Sequence, residues 1–157
     1  MLLYSGIDVV GALERKPGMR TKASFTHWVD SYMLKAKPLG CSSLELYGAR
    51  CGLLHTMATE SELSKSGKAR QINYAWGNAK CQDFKTAGDI LNYPDILSIH
   101  VDDLLEAFKS GLIDYFQEID KDAARQEIVL KNAGAWITDL PLAVVTDILK
   151  NHIKEET

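Results

Sequence analysis

No apolar run in this 157-residue chain approaches the roughly 18 residues that a membrane-spanning helix requires. The stretch Met1 to Leu13 holds Asp8 within its short apolar run and lacks a basic start, so it does not read as a targeting segment. Cysteine is scarce. Cys41, Cys51 and Cys81 are odd in number and form no CxxC pair, which argues against a disulfide framework and suits a reducing cytoplasm. There is no G-x-S-x-G elbow and no G-x-G-x-x-G turn after a strand, which removes the serine-hydrolase and dinucleotide patterns. Ser66-Gly67-Lys68 lacks the earlier glycine and the following Ser or Thr of a P-loop. No repeat and no low-complexity tract is present. What remains is 46% hydrophobic and 25% charged residues, enough to bury the core of one domain spanning 1–157 in a soluble, cytoplasmic protein.

Neither sign of charge dominates, but the two signs are unevenly spread. Residues 1–85 carry 12 Lys/Arg against 7 Asp/Glu and residues 86–157 carry 6 against 14, so halves of +5 and -8 make up the net charge of -3. An anionic ligand is then expected on surface from the first half. Chance clustering of charges on solvated faces gives the same count.

Apolar periodicity predicts a mainly α fold: a multi-helix bundle with one small antiparallel β-hairpin, residues 71–76 with 96–101. A first helix covers Leu2 to Glu14 and breaks at Pro17-Gly18. A second covers Ala23 to Met33, with Phe25, Trp28, Val29 and Tyr32 as its core stripe, and ends at Lys37-Pro38-Leu39-Gly40. Ser42 or Ser43 caps a third, which runs to about Thr59. Glu60 to Lys68 reads as a capped turn or a short helix. Val101, Leu104, Leu105, Phe108, Leu112, Tyr115 and Ile119 recur at spacings of three and four and mark a helix from Val101 to Ile119. Asp120 or Asp122 begins the next, which Gly134 ends, and Pro141 opens a last one through Ile153.

The third helix carries the most informative pair, Arg50 and His55 in Tyr-Gly-Ala-Arg-Cys-Gly-Leu-Leu-His-Thr, residues 47–56. A guanidinium holds its charge and grips phosphate through two parallel hydrogen bonds, and an imidazole moves a proton near neutral pH. Arg-x4-His resembles the signature of the HEPN superfamily, small all-helical and usually dimeric proteins, many of them metal-independent ribonucleases or toxins. The resemblance implies that Arg50 binds the scissile phosphate and His55 acts as general acid/base in a cleft shared by a homodimer, with no metal and no cofactor. Cys51 and Gly52 stand directly after the arginine, where many members have a polar residue. Five residues of ideal helix also place Arg50 and His55 roughly 140° apart around the axis, so long side chains, a local distortion or a second subunit must bring them together. The alternative is structural: Arg50 paired with an acidic neighbour and His55 hydrogen-bonded at the core edge.

A second candidate is Lys65, Lys68 and Arg70 followed by Tyr74 and Trp76, then Lys80 and Lys85, against Glu62 and Asp83. Cations interleaved with aromatics can hold phosphates and stack a base, or can be a solvated loop whose aromatics return to the core. Cys51 and His55 lie four apart, and Cys41, Cys81 or His100 could add ligands, but no standard zinc spacing exists and no metal is expected. His27 and His152 read as structural or exposed. Asp102 with Asp103 and Asp120 with Asp122 suit helix starts. The expected function is RNA or nucleotide binding, extending to metal-independent RNA cleavage; the alternative is a non-catalytic protein–protein interaction module with no membrane role.

Overall fold

The computed structural model describes residues 2–53, 61–93 and 96–134. They are mainly helical, with one two-stranded sheet. Helix α1 (Leu2–Leu13) buries Tyr4, Ile7, Val10 and Gly11, and crosses α2 (Thr21–Trp28) closely at Gly11, where a Cβ would stand 3.0 Å from the Ser24 carbonyl oxygen. From Trp28 the chain runs straight into a π-helical turn, Val29–Met33, and then α3 (Leu34–Ala36). Trp28, Val29, Tyr32 and Met33, at and within this turn, are all buried. Lys37 is extended, as the residue before Pro38 prefers, and the helical run stops there.

Helix α4 (Ser43–Cys51) settles its start on Ser42 by a reciprocal cap: the Ser42 hydroxyl accepts from Glu45 N at 3.2 Å, and Ser42 N donates to Glu45 Oε2 at 2.8 Å. Ser43 instead donates to Asp30 Oδ2 at 2.9 Å. The expected continuation of this helix to Thr59 reaches Leu53 in π geometry and then passes outside the described residues. Ser61 and Ser64 form the same kind of cap on the short α5 (Glu62–Lys65), which Gly67 turns out of with φ +69°.

Strands β1 (Ile72–Ala75) and β2 (Leu97–His100) fall within the expected strand segments, but they pair parallel, Ile72 opposite Leu97 and Ala75 opposite His100. The antiparallel hairpin is thereby corrected. The cause is α6 (Cys81–Ile90), a helix not foreseen between the strands, whose crossover returns the chain to the same end of the sheet. Helix α7 (Val101–Ile119) follows β2 without a loop and buries Leu104, Ala107, Gly111, Tyr115 and Ile119. Gly111 lets it approach the π turn, since a Cβ there would lie 2.8 Å from Met33 Cα. Helix α8 (Ala123–Gly134) is capped by Asp122 Oδ1, which accepts from Ala124 N and Arg125 N, and returns onto α1, where Asn132 donates to the Leu13 carbonyl at 2.7 Å. Tyr115, Phe25, Ile7, Met33, Leu46 and Val29 form the centre of the core. The expected helix from Pro141 to Ile153 lies outside the described residues.

Candidate nucleic-acid interface

Arg50 sits at the end of α4 and donates through Nε to Asp8 Oδ2 of α1 at 2.8 Å, with the two side chains 14% and 19% exposed. Its guanidinium carbon lies 5.8 Å from the centre of the Tyr47 ring. Burial works against the Arg50 charge, and the Asp8 carboxylate outweighs it, so the guanidinium is held above its ordinary pKa. The second Asp8 oxygen, Oδ1, is buried without a hydrogen-bond donor. The ion pair is the arrangement that the structural alternative for Arg50 requires. His55 lies outside the described residues, so its distance to Arg50 is not part of this geometry.

The basic segment divides into engaged and exposed groups. Arg70 grips Glu45 through Nε at 2.6 Å and through a terminal nitrogen at 3.3 Å, and Glu45 is the same residue that completes the α4 cap. Tyr74 turns its hydroxyl inward to the Tyr4 hydroxyl at 2.5 Å, and burial raises the pKa of both phenols. Lys65 and Lys68 are exposed, with Lys65 3.8 Å from Glu62, and Trp76 is 72% exposed. Lys65 and Arg70 come together on one cleft of about 600 Å³, together with Gln71 and Asn73 on the approach to and within β1, and Asn92 and Tyr93 beyond α6. Among the described residues no carboxylate lines it. Lys68, Tyr74 and Trp76 lie outside its walls.

The far wall of that cleft is built by the end of α6. Tyr93 N donates to the Gly88 carbonyl at 2.8 Å and Asn92 N to the Asp89 carbonyl at 3.4 Å, with Asn92 in the left-handed region at φ 57°. This paired cap folds the chain back over Gly88, where a Cβ would meet the Tyr93 carbonyl oxygen at 2.7 Å. It leaves the Tyr93 ring 70% exposed at the cleft mouth. These residues were not singled out from the sequence. The signal was Gly88 followed by Asn92-Tyr93, a helix end with asparagine at the left-handed position.

A second cleft, of about 690 Å³ between α1, α2, α7 and α8, has mixed charge: Arg125 holds both Glu14 oxygens at 2.7 and 2.8 Å and the Tyr32 hydroxyl at 2.7 Å, and Tyr32 donates to Glu118 at 2.9 Å. His27 lines its rim, with Nδ1 3.4 Å from the Ser31 hydroxyl. His100 caps α7 through Nδ1, and its Nε2 lies 3.2 Å from the Gly77 carbonyl. Among the described residues no three His, Cys, Asp or Glu side chains gather as a metal site, and the three cysteines are free and half-buried.

No family model, curated protein or solved structure matches the chain. Its function is therefore argued from the residues above. Among the described residues no helix is long and apolar enough to cross a membrane.

Proposed function

We propose that this protein binds RNA or a nucleotide through the cleft between α5, β1 and the end of α6. The observation that carries this is that, among the described residues, no carboxylate lines the cleft: Lys65, and Arg70 held by Glu45, stand with three side-chain amides and an open phenol ring on a chain whose net charge is negative. Phosphate oxygens need cations or N–H donors and are repelled by carboxylates, so such a lining favours a phosphorylated polar ligand. The second cleft, with Glu14 and Glu118, lacks that property.

The HEPN resemblance extends the proposal to metal-independent RNA cleavage. In that extension Arg50 transfers its guanidinium from Asp8 to the scissile phosphate. His55 takes the proton of the 2′-hydroxyl as that oxygen bonds to phosphorus, and the 5′-oxygen leaves with a proton returned to it. As the resemblance has it, a homodimer sets this pair at a cleft shared by two copies; Arg50 is not among the residues that line the α5–β1–α6 cleft.

Two measurements test the reading in turn. Single-stranded RNA should bind with an affinity that falls as salt rises and falls further on charge reversal at Lys65 and Lys68. In EDTA, cleavage of RNA and not of matched DNA, lost in His55→Ala, supports catalysis; binding without cleavage leaves a nucleic-acid-binding module. Absence of RNA binding favours the second reading, a protein interaction module, for which Trp76, Ile90, Leu91 and Tyr93 offer exposed apolar surface.

A further inference from the structure

We propose that the cleft lined by Lys65, Asn73, Asn92 and Tyr93 holds a single unstacked nucleobase, with Tyr93 as its stacking platform and Asn92 and Asn73 reading its edge. This rests on the RNA-binding reading above and narrows it to single-stranded RNA. Phosphate alone would be met by Lys65 and by amide N–H donors; it has no use for an exposed aromatic ring or for the acceptor oxygen of a carboxamide. A base has use for both. Its π face stacks on a phenol ring, and its edge offers alternating donors and acceptors that match a carboxamide.

The cleft draws these groups from two elements, β1 and the end of α6. Asn73 lies on β1 and spends one N–H on the Leu97 carbonyl of β2 at 3.3 Å, which fixes the amide and leaves its oxygen for a ligand. The α6 cap sets Asn92 and Tyr93 by backbone hydrogen bonds, so neither side chain is consumed in holding the turn. Ala69 and Ile96 supply apolar surface between the polar groups. Lys65 lines the same cleft and supplies a cation for a phosphate beside the base. Paired bases in an A-form duplex keep their faces stacked and their major-groove edges too deep to reach, so duplex RNA cannot deliver a base to Tyr93.

The test uses the full chain and uncleavable 2′-O-methyl oligoribonucleotides of eight nucleotides, read by fluorescence anisotropy. Three probes are compared: a base-bearing single strand, a strand of the same length with central abasic positions, and a blunt duplex of self-complementary strands. Wild type should bind the base-bearing strand about tenfold more tightly than either other probe, the increment expected of one stacked base. Tyr93→Ala should erase that increment and leave abasic-strand affinity unchanged; Tyr93→Phe should keep it. Asn92→Gly, which preserves the left-handed backbone, should keep stacking but flatten the preference among homopolymers. Equal affinity of wild type and Tyr93→Ala for the base-bearing strand, with salt-sensitive binding intact, overturns the base site and leaves the RNA-binding reading standing. No binding of any probe by wild type overturns both.

Discussion

If Arg50 serves phosphate, Asp8 must compete with that phosphate, and a double-mutant cycle separates this role from that of a strut. The Nε–Oδ2 contact is 2.8 Å long, and both side chains lie mostly inside, 14% and 19% exposed. Fully exposed pairs contribute about 0–1 kcal/mol, and breaking a fully buried pair costs about 3–5 kcal/mol. This pair lies between those limits, so a coupling of about 2 kcal/mol is expected. Asp8→Ala removes the carboxylate partner of the guanidinium, and Arg50→Ala strands a carboxylate whose other oxygen already lacks a donor. The double variant relieves both, and so should be less destabilised than the two singles summed.

Urea unfolding followed by tryptophan fluorescence reads the effect: with a slope of about 1–3 kcal/mol per molar, each single variant moves the midpoint by roughly 1 M. The same proteins then go into the RNA-binding assay. Asp8→Asn keeps the size of the side chain and removes its charge, so it should tighten RNA binding several-fold by releasing Arg50 and removing a repelling carboxylate. Singles that add within about 0.5 kcal/mol refute the coupling. A coupled pair with RNA affinity unchanged in Asp8→Asn refutes the phosphate role and leaves Arg50 as a strut between α1 and α4.

Three further outcomes follow from the packing. Gly111→Ala places a Cβ 2.8 Å from Met33 Cα and 2.9 Å from Met33 N, backbone that cannot swing aside, and should cost about 1–3 kcal/mol as a fall in melting temperature of several degrees. Cys41, whose thiol burial and the nearby Glu45 push up to about 12, should alkylate with iodoacetamide at pH 8 at least a hundredfold more slowly in the folded protein than in urea, measured by mass of the peptide. Glu45 is 9% exposed; burial acts to raise its pKa, but the Arg70 N–H groups and the Ser42 N–H and hydroxyl outweigh it and hold the carboxylate below the ordinary range. A depressed folded pKa gives stability that is complete above the unfolded value of about 4.3 and is lost as pH falls through the folded one, so Glu45→Gln should flatten acid unfolding below about pH 4 and lower stability at pH 7.

Elements with a long apolar period or a local cap were legible before the structure. Val101 to Ile119 repeats every three or four residues over five turns, and its observed bounds are the expected ones. Ser42 and Ser43 announced the start of α4, and the structure decides for Ser42. The direction of the two strands was not legible in the same way, because strand patterning carries no sign; direction is set by what joins the strands. The joining helix α6 hid because its only buried position in the helix is Gly88, so no apolar stripe marks it. The connection between the two segments was nevertheless far too long for a hairpin loop, and that length alone favours a crossover. At the site, residue type and the chance of engagement were legible and the partners were not: Arg50, Arg70 and Tyr74 have the chemistry of a ligand site, yet each meets a partner distant in sequence, Asp8, Glu45 and Tyr4.

That difference between cations present and cations available fixes the salt dependence of RNA binding. Counting Lys65, Lys68, Arg70, Lys80 and Lys85 from the sequence gives five phosphate contacts and, at about -0.7 per contact for single strands, a slope of log K against log salt near -3.5. The structure divides that set. Glu45 already compensates Arg70, and Lys80 and Lys85 do not line the cleft, which leaves Lys65 on its wall and Lys68 exposed nearby in the same loop. Two contacts give a slope near -1.4. Titration between 50 and 300 mM salt distinguishes the two, and Lys65→Gln should reduce the measured slope by about 0.7 whereas Lys85→Gln should leave it unchanged. A slope near -3.5 that falls with Lys80→Gln or Lys85→Gln would show that RNA tracks across α6 instead of entering the cleft, and the site would have to be redrawn around that helix.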